Sequence, residues 1–169
     1  MAIVLIGAPG AGKTTVGRRV AQRLQREFID VDALIEQRAG KPVAEIFADD
    51  GEQAFRALEE TTTLDVLDSD AVVSLGGGAV LNQRIGAALP GRHTVVWLQV
   101  SITQASRRVG MNRARPLLLG NVRAQLIDML AQRTPYYEAA ATMTVDTDKR
   151  SVDDIVDDIA ARLGEQGHG

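Results

Sequence analysis

The chain predicts an α/β fold built on a five-stranded parallel sheet, and three observations carry that prediction. Gly7-Ala8-Pro9-Gly10-Ala11-Gly12-Lys13-Thr14 matches the phosphate-loop pattern G-x-x-x-x-G-K-[ST]. An unbroken apolar run, Ala2-Ile3-Val4-Leu5-Ile6, precedes the loop, as a strand buried on both faces requires, and Val16, Val20 and Leu24 follow it at helical spacing. Four later segments, 28–32, 70–75, 94–100 and 141–145, read as further strands with helical patterns between them.

The phosphate loop is the best-defined stretch. A phosphate chain carries dense negative charge, so its binder needs many N–H donors at close range, and glycines let the backbone approach. Lys13 can reach the β- and γ-phosphates, the Thr14 hydroxyl can coordinate Mg²⁺, and the following helix turns its N-terminus toward the anion. The second strand, Phe28-Ile29-Asp30-Val31-Asp32, ends in two carboxylates at the sheet edge where open α/β folds bind ligands. If the backbone stays extended, Asp30 and Asp32 face the same side, one toward a metal shell and one toward a substrate hydroxyl; otherwise Asp32 caps the next helix.

Two short helices, 33–39 and 43–49, are separated by Gly40-Lys41-Pro42 and form a small insertion that spans about 33–60 with the start of the following helix. That helix opens at Gly51, with Phe55, Leu58, Thr62 and Val66 as its inward stripe. At ~100° per residue Glu59 falls inside the stripe and Arg56 at its margin. Such an acid wants a buried partner, so the pair is either a structural i, i+3 ion pair or a guanidinium held ready for an anion.

The third strand runs into Gly76-Gly77-Gly78, either a loose loop or a place where backbone N–H groups touch a ligand. It ends in Ser74-Leu75, with no Walker B acid, which leaves Asp30 as the carboxylate for the metal shell. A short helix over 81–89 and a fourth strand over 94–100 follow, with Trp97 read as core and His93 as structural. Ser101 caps a helix whose basic end is Arg107-Arg108. Residues 110–121 have no period, and their glycines and arginines suggest a lid that closes over phosphates, Arg115 among them.

The next helix is expected from Val122 to about Arg133, with Val122, Leu126, Met129 and Leu130 on its apolar face and Arg133 in the middle of it. Arg133 therefore either caps the helix end before Thr134-Pro135 or points into a cleft toward an anion. Ser151 and Asp154 start a last helix with the stripe Val152, Ile155, Val156, Ile159, Ala160 and Leu163, and 164–169, with His168, read as a frayed tail.

With 169 residues and 45% hydrophobic content, the chain fits a single domain with a real core. A net charge of −3 gives no basic footprint for nucleic acid. There is no cysteine, which rules out disulfides, a thiolate nucleophile and zinc–thiolate ligation. No apolar stretch approaches the ~18 residues a membrane span needs, and the phosphate loop starts too early to leave room for a signal peptide. The expectation is a cytoplasmic monomer without membrane or nucleic-acid partners.

Beside the phosphate loop, D-V-D at 30–32, F-R-x-L-E-E at 55–60, S-L-G-G-G-A at 74–79, R-P-L-L at 115–118 and R-T-P-Y-Y at 133–137 stand in order along the chain. In this combination, over roughly residues 2–163, the chain resembles the shikimate kinases, a branch of the nucleoside-monophosphate-kinase-like phosphate-loop proteins. The resemblance implies a three-layer P-loop kinase fold with strand order 2-3-1-4-5, helices on both faces and a mobile lid. It implies Mg²⁺-dependent transfer of the ATP γ-phosphoryl group to the 3-hydroxyl of shikimate, in the route to aromatic amino acids.

Carried over by residue, Gly10, Ala11, Gly12, Lys13, Thr14 and Thr15 would bind ATP. Arg108 would cover one adenine face, and Arg150 falls where family members often place a proline against the base. Lys13 and Arg115 would stabilise the transferring phosphoryl group; Thr14 would bind Mg²⁺ directly and Asp30 through water. Asp32 would hold the substrate hydroxyls and is the candidate base. Arg56 and Arg133 would grip the carboxylate, Glu59 would orient Arg56, and Gly77 and Gly78 would contact ring hydroxyls. A gluconate-type small-metabolite kinase and a non-catalytic ATP-binding module are the alternatives; the two arginines and the triple glycine favour shikimate.

Overall fold

The structure, a computed structural model, describes residues 1–111 and 119–166, and side chains over 1–108 and 123–166. Arg115, most of the expected lid and His168 lie outside the described residues. At the lid's margins the backbone is helical, since α6 (Ile102–Met111) runs to Met111 and α7 (Leu119–Ala140) begins at Leu119.

Five strands, β1 (Ile3–Ile6), β2 (Phe28–Asp30), β3 (Val72–Ser74), β4 (Thr94–Gln99) and β5 (Met143–Asp146), form one sheet in the order β2-β3-β1-β4-β5. Every pairing is parallel, with Leu5 opposite Ser74, Asp30 opposite Ser74 and Ile6 opposite Trp97. The apolar run of β1 is buried throughout because helices cover both faces. Val4, Ile6, Val73 and Val95 pack toward α2 (Val31–Ala39), α4 (Glu52–Leu67), α5 (Gln83–Ala88) and α7. Ile3, Leu5, Val72 and Val96 pack toward α1 (Lys13–Leu24) and α8 (Val152–Gln166).

The chain builds β2 and β3 on one side of β1 before crossing to β4 on the other. The resulting switch point opens a crevice at the carboxyl ends of the strands, where the phosphate loop, Asp30 and the triple glycine all emerge.

Several element boundaries, and one helix stripe, differ from the sequence expectation. Strand β2 ends at Asp30, and α2 starts at Val31, because the Asp30 carboxylate caps it by accepting from the Ala33 N–H at 3.1 Å. Asp32 is therefore a first-turn helical residue, and the capping role belongs to Asp30. In α4 the inward stripe is Phe55, Glu59, Thr62 and Val66, while Leu58 is exposed.

Helix α7 does not stop at Arg133 but continues through Pro135 to Ala140. Pro135 withholds the N–H that Ala131 would otherwise receive, and the Thr134 hydroxyl donates to Leu130 O at 2.6 Å within the same turn. Helix α8 likewise extends to Gln166, past the expected start of the tail. The expected cap on it is present, with the Asp154 N–H donating to Ser151 Oγ at 3.1 Å.

Candidate active site

The phosphate loop joins β1 to α1, and Gly12 at its end adopts φ 92°, left-handed backbone that favours glycine. The Lys13 ammonium donates to the carbonyls of Gly7 at 2.6 Å and Ala8 at 3.1 Å. Burial lowers its pKa to about 8, with Arg133 pushing the same way and Asp32 opposing. Thr14 donates its hydroxyl to Asp30 Oδ2 at 3.1 Å, so Asp30 serves the helix with one oxygen and the loop threonine with the other. Arg108 reaches back from α6 and donates to Gly10 O at 2.9 Å, bracing the loop from outside.

A cavity of about 190 Å³ joins this grip to the acceptor side, lined among others by Pro9, Lys13, Thr14, Asp32, Ser74 and Gly77. Asp32 Oδ1 is buried there without a hydrogen-bond partner among the described residues. Burial raises the Asp32 pKa, helped by the nearby Asp30 charge and opposed by Lys13 and Arg56. A carboxylate with a raised pKa and an unused lone pair is suited to accept a hydroxyl proton.

Opposite Asp32, α4 and α7 bring two guanidiniums together. Arg56 donates from Nη1 to Glu59 Oε1 at 2.7 Å, and Glu59 is 1% exposed. Burial raises the Glu59 pKa, and the Arg56 hydrogen bond pulls it back. Arg56 also stacks over Phe55, 5.3 Å from ring centroid to Cζ, and Phe55 packs against Phe47 at 4.7 Å. Phe47 was not singled out in the sequence; it lies on α3 (Val43–Asp50) and is partly exposed beside Phe55. Arg133 lies inside helix α7, seven residues from its end, so it is not a C-terminal cap. Its Nε is buried and has no hydrogen-bond partner among the described residues.

The triple glycine is what lets these charges converge. A Cβ on Gly76 would lie 3.0 Å from Asp32 Oδ1, one on Gly77 would lie 2.9 Å from Arg133 Nη1, and one on Gly78 would lie 2.9 Å from Arg56 Nη2 and 3.2 Å from Arg133 Nη2. Three side chains there would push the acid and both guanidiniums apart. Tyr137, a second residue without a role in the sequence reading, is fully buried and donates its hydroxyl to Gly77 O at 2.6 Å. Its spacing from Arg133, one helical turn, was the available signal.

Not every expected residue joins this cluster. Arg150 donates to Asp146 O, Asp154 O and Asp158 Oδ2 and so lies along α8. Thr15 is exposed on the first turn of α1. His93 accepts from the Ala2 N–H at 3.2 Å, and Trp97 is buried against Tyr137, as a structural histidine and a core tryptophan should be.

A lysine-bearing phosphate loop, an acid with a free lone pair and two guanidiniums at one sheet edge define a phosphate-loop phosphotransferase built for a small anionic acceptor. The sequence model of the family described as shikimate kinase matches residues 9–164. A shikimate kinase of Thermobifida fusca (strain YX) is 52% identical over 165 residues, which cover 97% of this chain and 95% of the relative. The solved structure of a shikimate kinase from Acinetobacter baumannii in complex with shikimate is 34% identical, with a TM-score of 0.90 over 98% of this chain and 93% of that one. A gluconokinase from Sinorhizobium meliloti 1021, 21% identical with a TM-score of 0.59, shares the fold alone. The chain belongs to the shikimate kinase family, and its activity is transfer of a phosphoryl group from ATP to the 3-hydroxyl of shikimate.

Proposed function

We propose that Asp32, Arg56 and Arg133 form the acceptor site for shikimate, and that the phosphate loop presents ATP to it across the cavity they share. The observation that carries this reading is the meeting of both guanidiniums over Gly77-Gly78, opposite an Asp32 oxygen with no partner among the described residues. A guanidinium pair suits a carboxylate, which it can bind with parallel hydrogen bonds. The Acinetobacter baumannii relative, solved with shikimate, supports the choice of ligand.

In this site Arg56 and Arg133 hold the carboxylate, Glu59 keeps the Arg56 fork turned toward it, and Gly77 and Gly78 allow the ring hydroxyls close to the backbone. Asp32 accepts a hydrogen bond from the 3-hydroxyl and takes its proton as the oxygen attacks the γ-phosphorus; the β–γ bridging oxygen leaves with ADP. Lys13, freed from the loop carbonyls, follows the charge on the transferring group. Gly10, Ala11, Gly12 and Thr15 hold the phosphates through the loop and first helical turn. Arg108 and Arg150 stand on the nucleotide side, and Arg115 is proposed to cover the phosphates from above.

The oxygens of Thr14 and Asp30, 3.1 Å apart beside Lys13, fit Mg²⁺, which prefers one or two protein oxygens plus phosphates. When bound, Mg²⁺ neutralises charge on the β- and γ-phosphates.

No described helix is long and apolar enough to cross a membrane. We place the protein in the cytoplasm as a monomer, acting on small molecules without nucleic-acid partners. ADP release with Mg²⁺-ATP over a panel of shikimate, gluconate and other hydroxy acids tests the acceptor assignment. Turnover is expected with shikimate alone; preferential turnover of gluconate, or ATP binding with no turnover, overturns it.

A further inference from the structure

The Tyr137 side chain is entirely buried, and its hydroxyl donates to the Gly77 carbonyl at 2.6 Å while facing the Arg133 guanidinium, which also hydrogen-bonds to it. That peptide sits at a junction. A Cβ on Gly77 would lie 2.9 Å from Arg133 Nη1, 3.2 Å from Pro9 Cδ and 3.5 Å from the Gly7 carbonyl oxygen. The phosphate loop and the Arg133 guanidinium thus close together on the space into which a Gly77 side chain would project. The Gly7 carbonyl is also the acceptor for Lys13 at 2.6 Å.

Tyr137 and Arg133 are four residues apart on α7 and so lie on one helix face, where together they clasp the glycine turn. The Tyr137 ring is set in turn by Trp97 of β4, with centroids 5.7 Å apart, and Trp97 pairs in register with Ile6, the last residue before the phosphate loop.

We infer that the Tyr137 hydroxyl is a positioning group for phosphoryl transfer: by holding the Gly77 carbonyl, it sets the distance between the Arg133 guanidinium and the phosphate loop. The inference rests on Arg133 as part of the carboxylate grip. A buried phenol whose only task was packing would be served as well by phenylalanine, which fills the same space against Trp97 without a polar atom to satisfy. The glycine turn is short and has no side chains of its own to fix it, so an outside donor is the natural means of holding it.

The test is a cycle of Tyr137→Phe, Arg133→Ala and the double variant, with kcat and both KM values measured in the full-length protein. Tyr137→Phe keeps the ring and is expected to lower kcat/KM for shikimate about tenfold, mostly through KM, while the ATP KM stays within about twofold. In the Arg133→Ala background the same change is expected to have no further effect on shikimate, since the arginine it positions is gone. Ile159→Val in α8, buried on the opposite face of the sheet, serves as the packing control, lowering Tm without changing the shikimate KM.

A raised shikimate KM in Arg133→Ala beside an unchanged one in Tyr137→Phe overturns the positioning inference alone. An unchanged KM in Arg133→Ala overturns the carboxylate grip and the inference with it. Parallel losses for ATP and shikimate in Tyr137→Phe also overturn it, because they report general loosening. Hydrogen–deuterium exchange gives a reading independent of turnover: faster exchange is expected at the amides of residues 76–79 alone, and a uniform rise that includes β1 and β4 counts against the assignment.

Discussion

Arg133 shows how one side chain's role depends on what lies beyond it in the chain. Removing it should raise the shikimate KM by about ten- to a hundredfold, the range expected for charge-assisted hydrogen bonds to a carboxylate, and leave the ATP KM nearly unchanged. Equal losses for the two substrates in steady-state kinetics would sink the assignment. Arg56→Ala should cost stability as well, because Glu59 is left buried without its partner and will take up a proton instead. Glu59→Gln should spare most of that stability, as a melting comparison of the two variants will show.

Lys13 gives a pH prediction whose stability and activity arms run in opposite directions. Its folded pKa, about 8, lies below the ordinary 10.5, so between these values the unfolded chain binds more protons and stability rises with pH. Over the same window the free enzyme loses the cation that meets the phosphates, so kcat/KM for ATP should fall with an apparent pKa near 8. Lys13→Arg, which stays charged, should remove that alkaline limb from the profile whatever its residual rate.

Among the elements, α1 follows the phosphate loop and α7 carries Arg133 of the proposed acceptor grip, and each was legible to a different degree. The apolar spacing of α1 predicts its buried residues Val16 and Val20. Gly17, between them, permits close approach to the sheet: a Cβ there would lie 2.6 Å from Phe28 Cε2 and 2.8 Å from Leu5 Cδ1. Gly17→Val should therefore overpack the helix against β1 and destabilise the fold by about 2 kcal/mol, read by urea titration. For α7 the proline misleads. Pro135 reads as a stop, but one missing hydrogen bond is tolerated because Tyr137 and Ala140 beyond it are buried against the rest of the core. The end of β2 misleads for the opposite reason: period-two spacing keeps Asp30 and Asp32 on one side, whereas the Asp30 cap turns the chain into a helix one residue later.

At the level of the whole molecule, the proposed donor and acceptor sites are two halves of one crevice, bounded by the phosphate loop after β1, the start of α2 after β2 and the glycine turn after β3. Because the proposed acceptor residues lie on α2, α4, α7 and the glycine turn, shikimate should bind without nucleotide. At a hundredfold excess over its Kd it should add about 2.7 kcal/mol, a rise in Tm of roughly 5–10 °C. No shift with shikimate alone would show that the crevice is incomplete until ATP binds.

The sequence by itself determined the chemistry: the phosphate loop, its lysine and its threonine are contiguous, and their local order of strand, loop and helix needs no distant contact to be read. It also marked Arg56 with Glu59, since a helix brings residues three apart onto one face. Tertiary structure decided the rest. Whether Arg133 capped a helix or entered the cleft depended on how far α7 runs. The tasks of Gly76, Gly77 and Gly78 became visible only when Asp32, Arg133 and Arg56 came to lie against them. Tyr137 acquired a partner 60 residues away only because α7 continues past Pro135 and packs beside the glycine turn. Local spacing encodes faces and motifs, but which faces meet is set by long-range packing, and the acceptor site exists only where they do.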